Sequence, residues 1–114
     1  MNGIELVSFN IISAVGTARS CYIEAIHCAK EEKFEEAENL LAEGQKVFIE
    51  GHHAHMELIQ KEAEGEKTEF SLLLMHAEDQ LMSAEGFGIL AEEFISLYKQ
   101  LKYLKISKEE DNVE

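Results

Sequence analysis

The chain is predicted to be all-α, folding as an antiparallel up-down-up three-helix bundle. Composition and periodicity predict this. The 114 residues include no proline and only seven glycines, and Glu, Ala, Leu, Lys and Ile predominate, most of them strong helix formers. Apolar residues recur at alternating steps of three and four in three successive stretches, which is the spacing of one face of an α-helix. A chain of this length suits a single domain, able to bury roughly two-thirds of the surface its unfolded form exposes. Residues 1–106 are assigned to that domain.

The first helix runs from Ile4 to about Lys30, with Val7, Ile11, Ala14, Ala18, Cys21, Ala25 and Cys28 on its repeat. The repeat fails at Glu31, Glu32 and Lys33, and Phe34 starts a new phase, so a short turn is placed there. The second helix runs from about Phe34 to Glu64. Its inward face is Phe34, Ala37, Leu41, Gly44, Phe48, Gly51, His55, Leu58 and Glu62, increasingly polar toward the C-terminal end, as a helix bordering a site would be. Gly65 is placed as its C-terminal cap and Thr68 as the N-cap of the third helix, about Thr68 to Lys105. Ser107 to Glu114 is charged and aperiodic and reads as a frayed, flexible tail.

The third helix has two faces to bury. One stripe is Phe70, Leu74, Ala77, Leu81, Ala84, Gly88, Ala91, Ile95 and Tyr98; the other is Leu72, Met75, Asp79, Met82, Gly86 and Ile89. Short turns make neighbouring helices antiparallel, and three such helices cover one stripe each. The seam of Met75, Asp79 and Met82 is then left over, and self-association is the simplest cover for it. If copies meet about a symmetry axis there, their Asp79 carboxylates face each other in an apolar setting. A hard divalent ion such as Mg²⁺, which takes oxygen ligands and retains waters, would compensate the charge. Gly86 and Gly88, each costing about 1 kcal/mol relative to alanine, point to close helix contact or a local bend.

The net charge of -13 argues against nucleic acid or an anionic membrane as partner and suits a basic protein. No apolar run reaches the eighteen or so residues a bilayer needs, and Glu5 stands where a leader would be basic, so a cytoplasmic protein without membrane insertion is expected. Cys21 and Cys28 would lie roughly 10 Å apart along one helix, too far for a disulfide. Both read as reduced packing residues without the cationic neighbour that activates a thiol.

Several residues could carry chemistry. His76, three residues before Asp79, is either a hydrogen-bonded histidine at a packing boundary or a nucleophile able to accept and pass on a phosphoryl group. His52, His53 and His55 crowd the end of the second helix, where at most two could serve one site. Glu24 with His27 and Glu50 with His53 both have the Glu-x-x-His spacing of carboxylate-bridged di-iron bundles. No glycine-rich phosphate loop, Gly-x-Ser-x-Gly elbow or Cys-x-x-Cys pair is present, so a phosphoryl group would have to arrive on another protein.

The stretch Leu74-Met75-His76-Ala77-Glu78-Asp79-Gln80-Leu81-Met82-Ser83 resembles the signature L-x-H-A-Q-D-H-L-M-T of the IIA components of the lactose/cellobiose-type sugar phosphotransferase system. Glu50 to Gly65 is similar to the family's upstream pattern E-A-H-x-x-Q-T-x-L-I-Q-x-E-A-x-G, and Ala18-Arg19-Ser20 and Leu97-Tyr98 also fit. The resemblance covers about residues 4–102. It implies a homotrimer of three-helix protomers, with His76 as the phosphorylated residue and Asp79 binding a metal ion on the trimer axis. It also implies that His76 takes phosphate from the carrier HPr and gives it to a cysteine of the IIB component, for sugar import through the IIC permease. Glu78, Gln80 and His55-Met56 depart from the family's Gln, His and Gln-Thr. A Glu78 carboxylate pointing at His76 would repel phosphate, and a non-catalytic interaction or regulatory module on the same scaffold is the alternative that these departures suggest.

Overall fold

The computed structural model describes residues 3–111, and three helices account for nearly all of them: α1 (Gly3–Lys30), α2 (Phe34–Ala63) and α3 (Leu72–Asp111). They form the expected antiparallel up-down-up bundle, an elongated body of 72 × 24 × 20 Å.

Both connections are closed by the same hydrogen-bond pattern. After α1, Glu32 takes the left-handed conformation (φ 65°), its N–H donates to Ala29 O at 3.0 Å, and the Lys33 N–H donates to Cys28 O at 2.8 Å. After α2, Gly65 has φ 95°, its N–H donates to Glu62 O and the Glu66 N–H donates to Lys61 O, both at 3.0 Å. These bonds satisfy carbonyls that would otherwise be orphaned at the helix ends. Glycine serves the second turn without a Cβ penalty, as expected for Gly65.

The start of α3 differs from expectation. Ser71, not Thr68, caps it: the Leu74 N–H donates to Ser71 Oγ at 3.0 Å, and residues 66–71 lie outside any helix. Phe70 therefore leaves the core stripe and is 86% exposed. The other end also differs, since α3 continues past Lys105 to Asp111, so residues 107–111 are helical rather than a frayed tail. Nothing after Gly88 breaks a helix, and Lys105 and Glu109 stand at the i, i+4 spacing at which opposite charges favour one. Residues 112–114 of the expected tail lie outside the described residues.

The core is built from small residues. Ala18, Ala25, Ala29, Ala37, Ala77, Ala84 and Ala91 are buried, with Ile11, Val15, Leu41, Leu58, Leu74, Leu81 and Ile95 filling between them. The α2 and α3 stripes lie where the periodicity places them except at one end of each, where Glu62 and Phe70 are exposed. On α1 the buried row is Ser8, Ile11, Val15, Ala18, Tyr22, Ala25 and Ala29, so Ala14, Cys21 and Cys28 are flanking and half-buried. The shift follows from two polar residues that satisfy or tuck away their polar atoms. Ser8 donates its hydroxyl to Ile4 O at 2.7 Å. Tyr22, 3% exposed, lays its ring between two glycines: a Cβ at Gly44 would fall 2.6 Å from Tyr22 Cε1, and one at Gly88 would fall 2.9 Å from Tyr22 Cζ.

The two α3 glycines therefore have different causes. Gly88 is a close contact, whereas a Cβ at Gly86 would meet nothing within 4 Å in the protomer. Gly86→Ala is expected to raise stability by about 1 kcal/mol through helix propensity. Denaturant melts at fixed protein concentration check this, and a loss instead would show a second copy pressing on Gly86.

Helix α1 alone among the described helices is long and apolar enough to cross a membrane, with mean hydropathy 1.2 over its most apolar window. Its stripe is the middle of the bundle core, as the burial of Ile11, Val15, Ala18, Tyr22, Ala25 and Ala29 shows.

Candidate functional site

The first three turns of α3 divide polar residues among three directions. Ala77 and Leu81 are buried in the core and fix the rotation of the helix. His76 and Asp79 are then both exposed, about 60° apart around the axis. Neither makes a hydrogen bond or ion pair among the described residues.

Asp79 lies on the seam that the protomer leaves uncovered. Leu72 is 83% exposed, Met82 is 65% exposed, and Met75 and Ile89 are more than half exposed. Met75, Asp79 and Met82 line one wall of a groove of about 370 Å³, whose other wall is His55, Leu58 and Ile59 of α2, with Phe70 at its mouth. His76, beside Asp79 on the surface of α3, does not line this groove.

Glu78 points away from His76. It sits about 200° around the helix from the histidine and meets α2, where Glu78 Oε2 lies 2.5 Å from His55 Nδ1. That nitrogen is buried and lacks a well-directed hydrogen bond, so the pair is a close imidazole–carboxylate contact at the edge of the groove, an ion pair only when the imidazole is protonated. Two departures from the family pattern thus answer each other across one helix interface. Both side chains are about a quarter exposed, so the interaction is screened only in part. A double-mutant cycle with His55→Gln and Glu78→Gln is expected to give a coupling of about 0.5–1 kcal/mol that shrinks in 1 M salt. Urea melts at low and high salt measure it.

Gln80 is anchored from another helix: Arg19 of α1 donates from Nη1 to Gln80 Oε1 at 2.7 Å. Sequence reasoning registers Arg19 through the Ala18-Arg19-Ser20 match without assigning it a role. Its position one α1 turn before Tyr22 is the signal that it would reach α3.

The remaining candidates do not converge. His52 and His53 are exposed, and the His52 ring stacks on Phe48 with centroids 6.2 Å apart. Glu24, His27, Glu50 and His53 are all exposed, and among the described residues no three acidic, histidine or cysteine side chains gather into a metal-binding group within the protomer. Burial and then Glu43 push the Cys21 thiol above its ordinary value, and burial and then Glu36 do the same to Cys28. Both cysteines are free and neither is activated as a nucleophile.

Comparison with known proteins bears on the family and the fold. Residues 6–99 match the family described as the lactose/cellobiose-specific IIA subunit of the phosphotransferase system. The oligo-β-mannoside-specific EIIA component of Bacillus subtilis is 45% identical over 95 residues, covering 83% of this chain and 86% of that protein. The crystal structure of the cellobiose-specific enzyme IIA from Bacillus anthracis superposes with a TM-score of 0.88 at 46% identity, over 90% of this chain and 94% of that one. The chitobiose IIA of Escherichia coli, solved in complex with HPr, superposes with a TM-score of 0.76 at 32% identity, over 90% of this chain and 99% of that one. The chain belongs to the lactose/cellobiose-specific IIA family of the sugar phosphotransferase system.

Proposed function

We propose that this protein is a histidine phosphocarrier in which His76 accepts a phosphoryl group from HPr and passes it to a cysteine of a IIB component, serving sugar uptake through a IIC permease. The observation that carries this is His76 itself: an exposed imidazole without a partner among the described residues, on a helix, inside the matched span. A nucleophile handed between proteins must be accessible and oriented, and the packing of Ala77 and Leu81 orients it. In the first step the lone pair of a neutral His76 nitrogen bonds to phosphorus while the bond from phosphorus to HPr breaks, its electron pair staying on the carrier. In the second a thiolate of the IIB component bonds to phosphorus and the His76–phosphorus bond breaks.

Glu78 does not oppose this, since its carboxylate is held at His55 on the other side of α3. The acidic surface, with net charge -13, suits a basic docking face on the carrier and would mainly speed encounter. A cytoplasmic location follows from this exchange with carrier proteins.

The exposed seam of Leu72, Met75, Asp79, Met82 and Ile89 supports assembly as a homotrimer with α3 facing the axis. Among the described residues a single protomer gathers no metal-binding group and Asp79 has no partner, but it is an oxygen donor in apolar surroundings, and three copies about an axis would offer three. Those carboxylates fit Mg²⁺ or a similar hard divalent ion, which when bound would neutralise their repulsion and take no part in phosphoryl transfer.

The test is incubation with phosphoenolpyruvate, the first general component and HPr. Label is expected on the wild type and absent from His76→Gln. An unlabelled wild type beside a labelled related IIA overturns the proposal.

A further inference from the structure

We propose that Gln80 and Arg19 form the part of the site that holds the phosphoryl group on His76, with the Gln80 side-chain amide donating to a phosphoryl oxygen and Arg19 fixing that amide in place. The inference rests on His76 as the phosphoryl acceptor.

Arg19 is the one arginine in a chain carrying 23 acidic residues, yet among the described residues it pairs with none of them. Its half-buried guanidinium is directed instead at a neutral amide oxygen, 2.7 Å away, across the α1–α3 interface. A guanidinium has donors and no acceptor, so it can meet only the oxygen of that amide, and this sets which way the amide faces. The two N–H groups of Gln80 Nε2 are then turned away from Arg19 and make no hydrogen bond among the described residues.

Gln80 lies one helical turn after His76, where side chains at i and i+4 are neighbours, with Cβ atoms about 5–6 Å apart. Helical side chains lean toward the N-terminus, so Gln80 covers the turn that carries His76 rather than the turn beyond it. An oriented N–H donor, polarised by an adjacent cation, therefore borders the place where a phosphoryl dianion would sit. Donors fixed before the charge arrives need no reorganisation when it does. Arg19 acts through Gln80 as a positioning residue, and its charge additionally favours the dianion.

The second ionisation of the phosphoryl group reports this directly, because a donated hydrogen bond favours the dianion. Phosphoramidate can load the site without any partner protein: the imidazole nitrogen bonds to phosphorus as the phosphorus–nitrogen bond of phosphoramidate breaks, and ammonia leaves with the ring proton. The ³¹P resonance to follow is the one missing from His76→Gln.

Its pH titration is expected to move upward in Gln80→Met by about 0.5 unit or more, roughly a threefold or greater gain in proton affinity. Arg19→Met should move it the same way, Arg19→Lys should restore most of the difference, and Arg19→Met should have a smaller effect when Gln80→Met is already present. A folded Gln80→Met that titrates with the wild type overturns the role of Gln80. Additive effects of Arg19→Met and Gln80→Met overturn the positioning role of Arg19. Failure of HPr to label His76 would remove the phosphocarrier reading but leave this titration decisive, since phosphoramidate supplies the group.

Discussion

Tyr22→Ala is expected to lower the unfolding free energy by about 3–5 kcal/mol, the range for removing a large buried aromatic side chain. The ring is 3% exposed and fills the space left by the missing side chains of Gly44 on α2 and Gly88 on α3. Neither glycine can extend into the vacated volume, so the cavity persists. The complementary change, Gly44→Ala, is also expected to destabilise. Its Cβ would lie 2.6 Å from Tyr22 Cε1 and 3.2 Å from Ala18 O, and a ring held on both sides cannot move away. Overpacking of this kind costs about 1–3 kcal/mol, against about 1 kcal/mol regained from helix propensity. The two changes should not add: with Tyr22→Ala present, Gly44→Ala should cost less than in the wild type, because the clash with the ring is gone and only the 3.2 Å approach to Ala18 O remains. Urea melts of the four proteins at one protein concentration measure the cycle, and additivity would show that the ring does not hold the three helices together.

Asp79→Leu is expected to leave the fold and the proposed trimer intact and to raise the melting temperature while abolishing metal binding. A carboxylate among Met75, Met82 and Ile89 is costly to bury against copies of itself, and replacing buried charges with well-packed apolar residues is often neutral or stabilising by about 1–4 kcal/mol. Sedimentation equilibrium and calorimetry of the two proteins, each with and without Mg²⁺, decide the matter. A variant that sediments as a monomer would show that carboxylate and ion are needed for assembly.

How far the sequence is legible depends on whether a residue's polarity matches its environment. The core stripe of α3 from Leu74 to Ile95 can be read directly, because every member is apolar or glycine at unbroken steps of three and four, whereas the stripe beside it is interrupted by Asp79. The α1 stripe cannot, because Ser8 and Tyr22 are polar by type and buried in fact, and their apolar neighbours Val7, Ala14 and Cys21 compete for the same periodicity. The α3 cap is ambiguous for a similar reason: Thr68 and Ser71 both carry a hydroxyl, and only the Leu74 N–H identifies the one that is used.

The site divides in the same way. His76 and Asp79 separate by helical geometry alone, since three residues turn them about 60° apart. The bearing of Glu78 on His76 depends on what faces it from α2, which spacing does not reveal; His55 settles its direction. Arg19 is 61 residues from Gln80, and no local pattern connects a lone arginine on one helix to an amide on another.

The chain has five histidines, His27, His52, His53, His55 and His76, and the central claim concerns one of them. Its most direct test is to map the phosphoryl group by peptide mass spectrometry after HPr-dependent labelling, under conditions that preserve phosphohistidine. The account predicts the group on the peptide containing His76 and on no other. A label on the segment His52 to His55, with His76 unmodified, would contradict it.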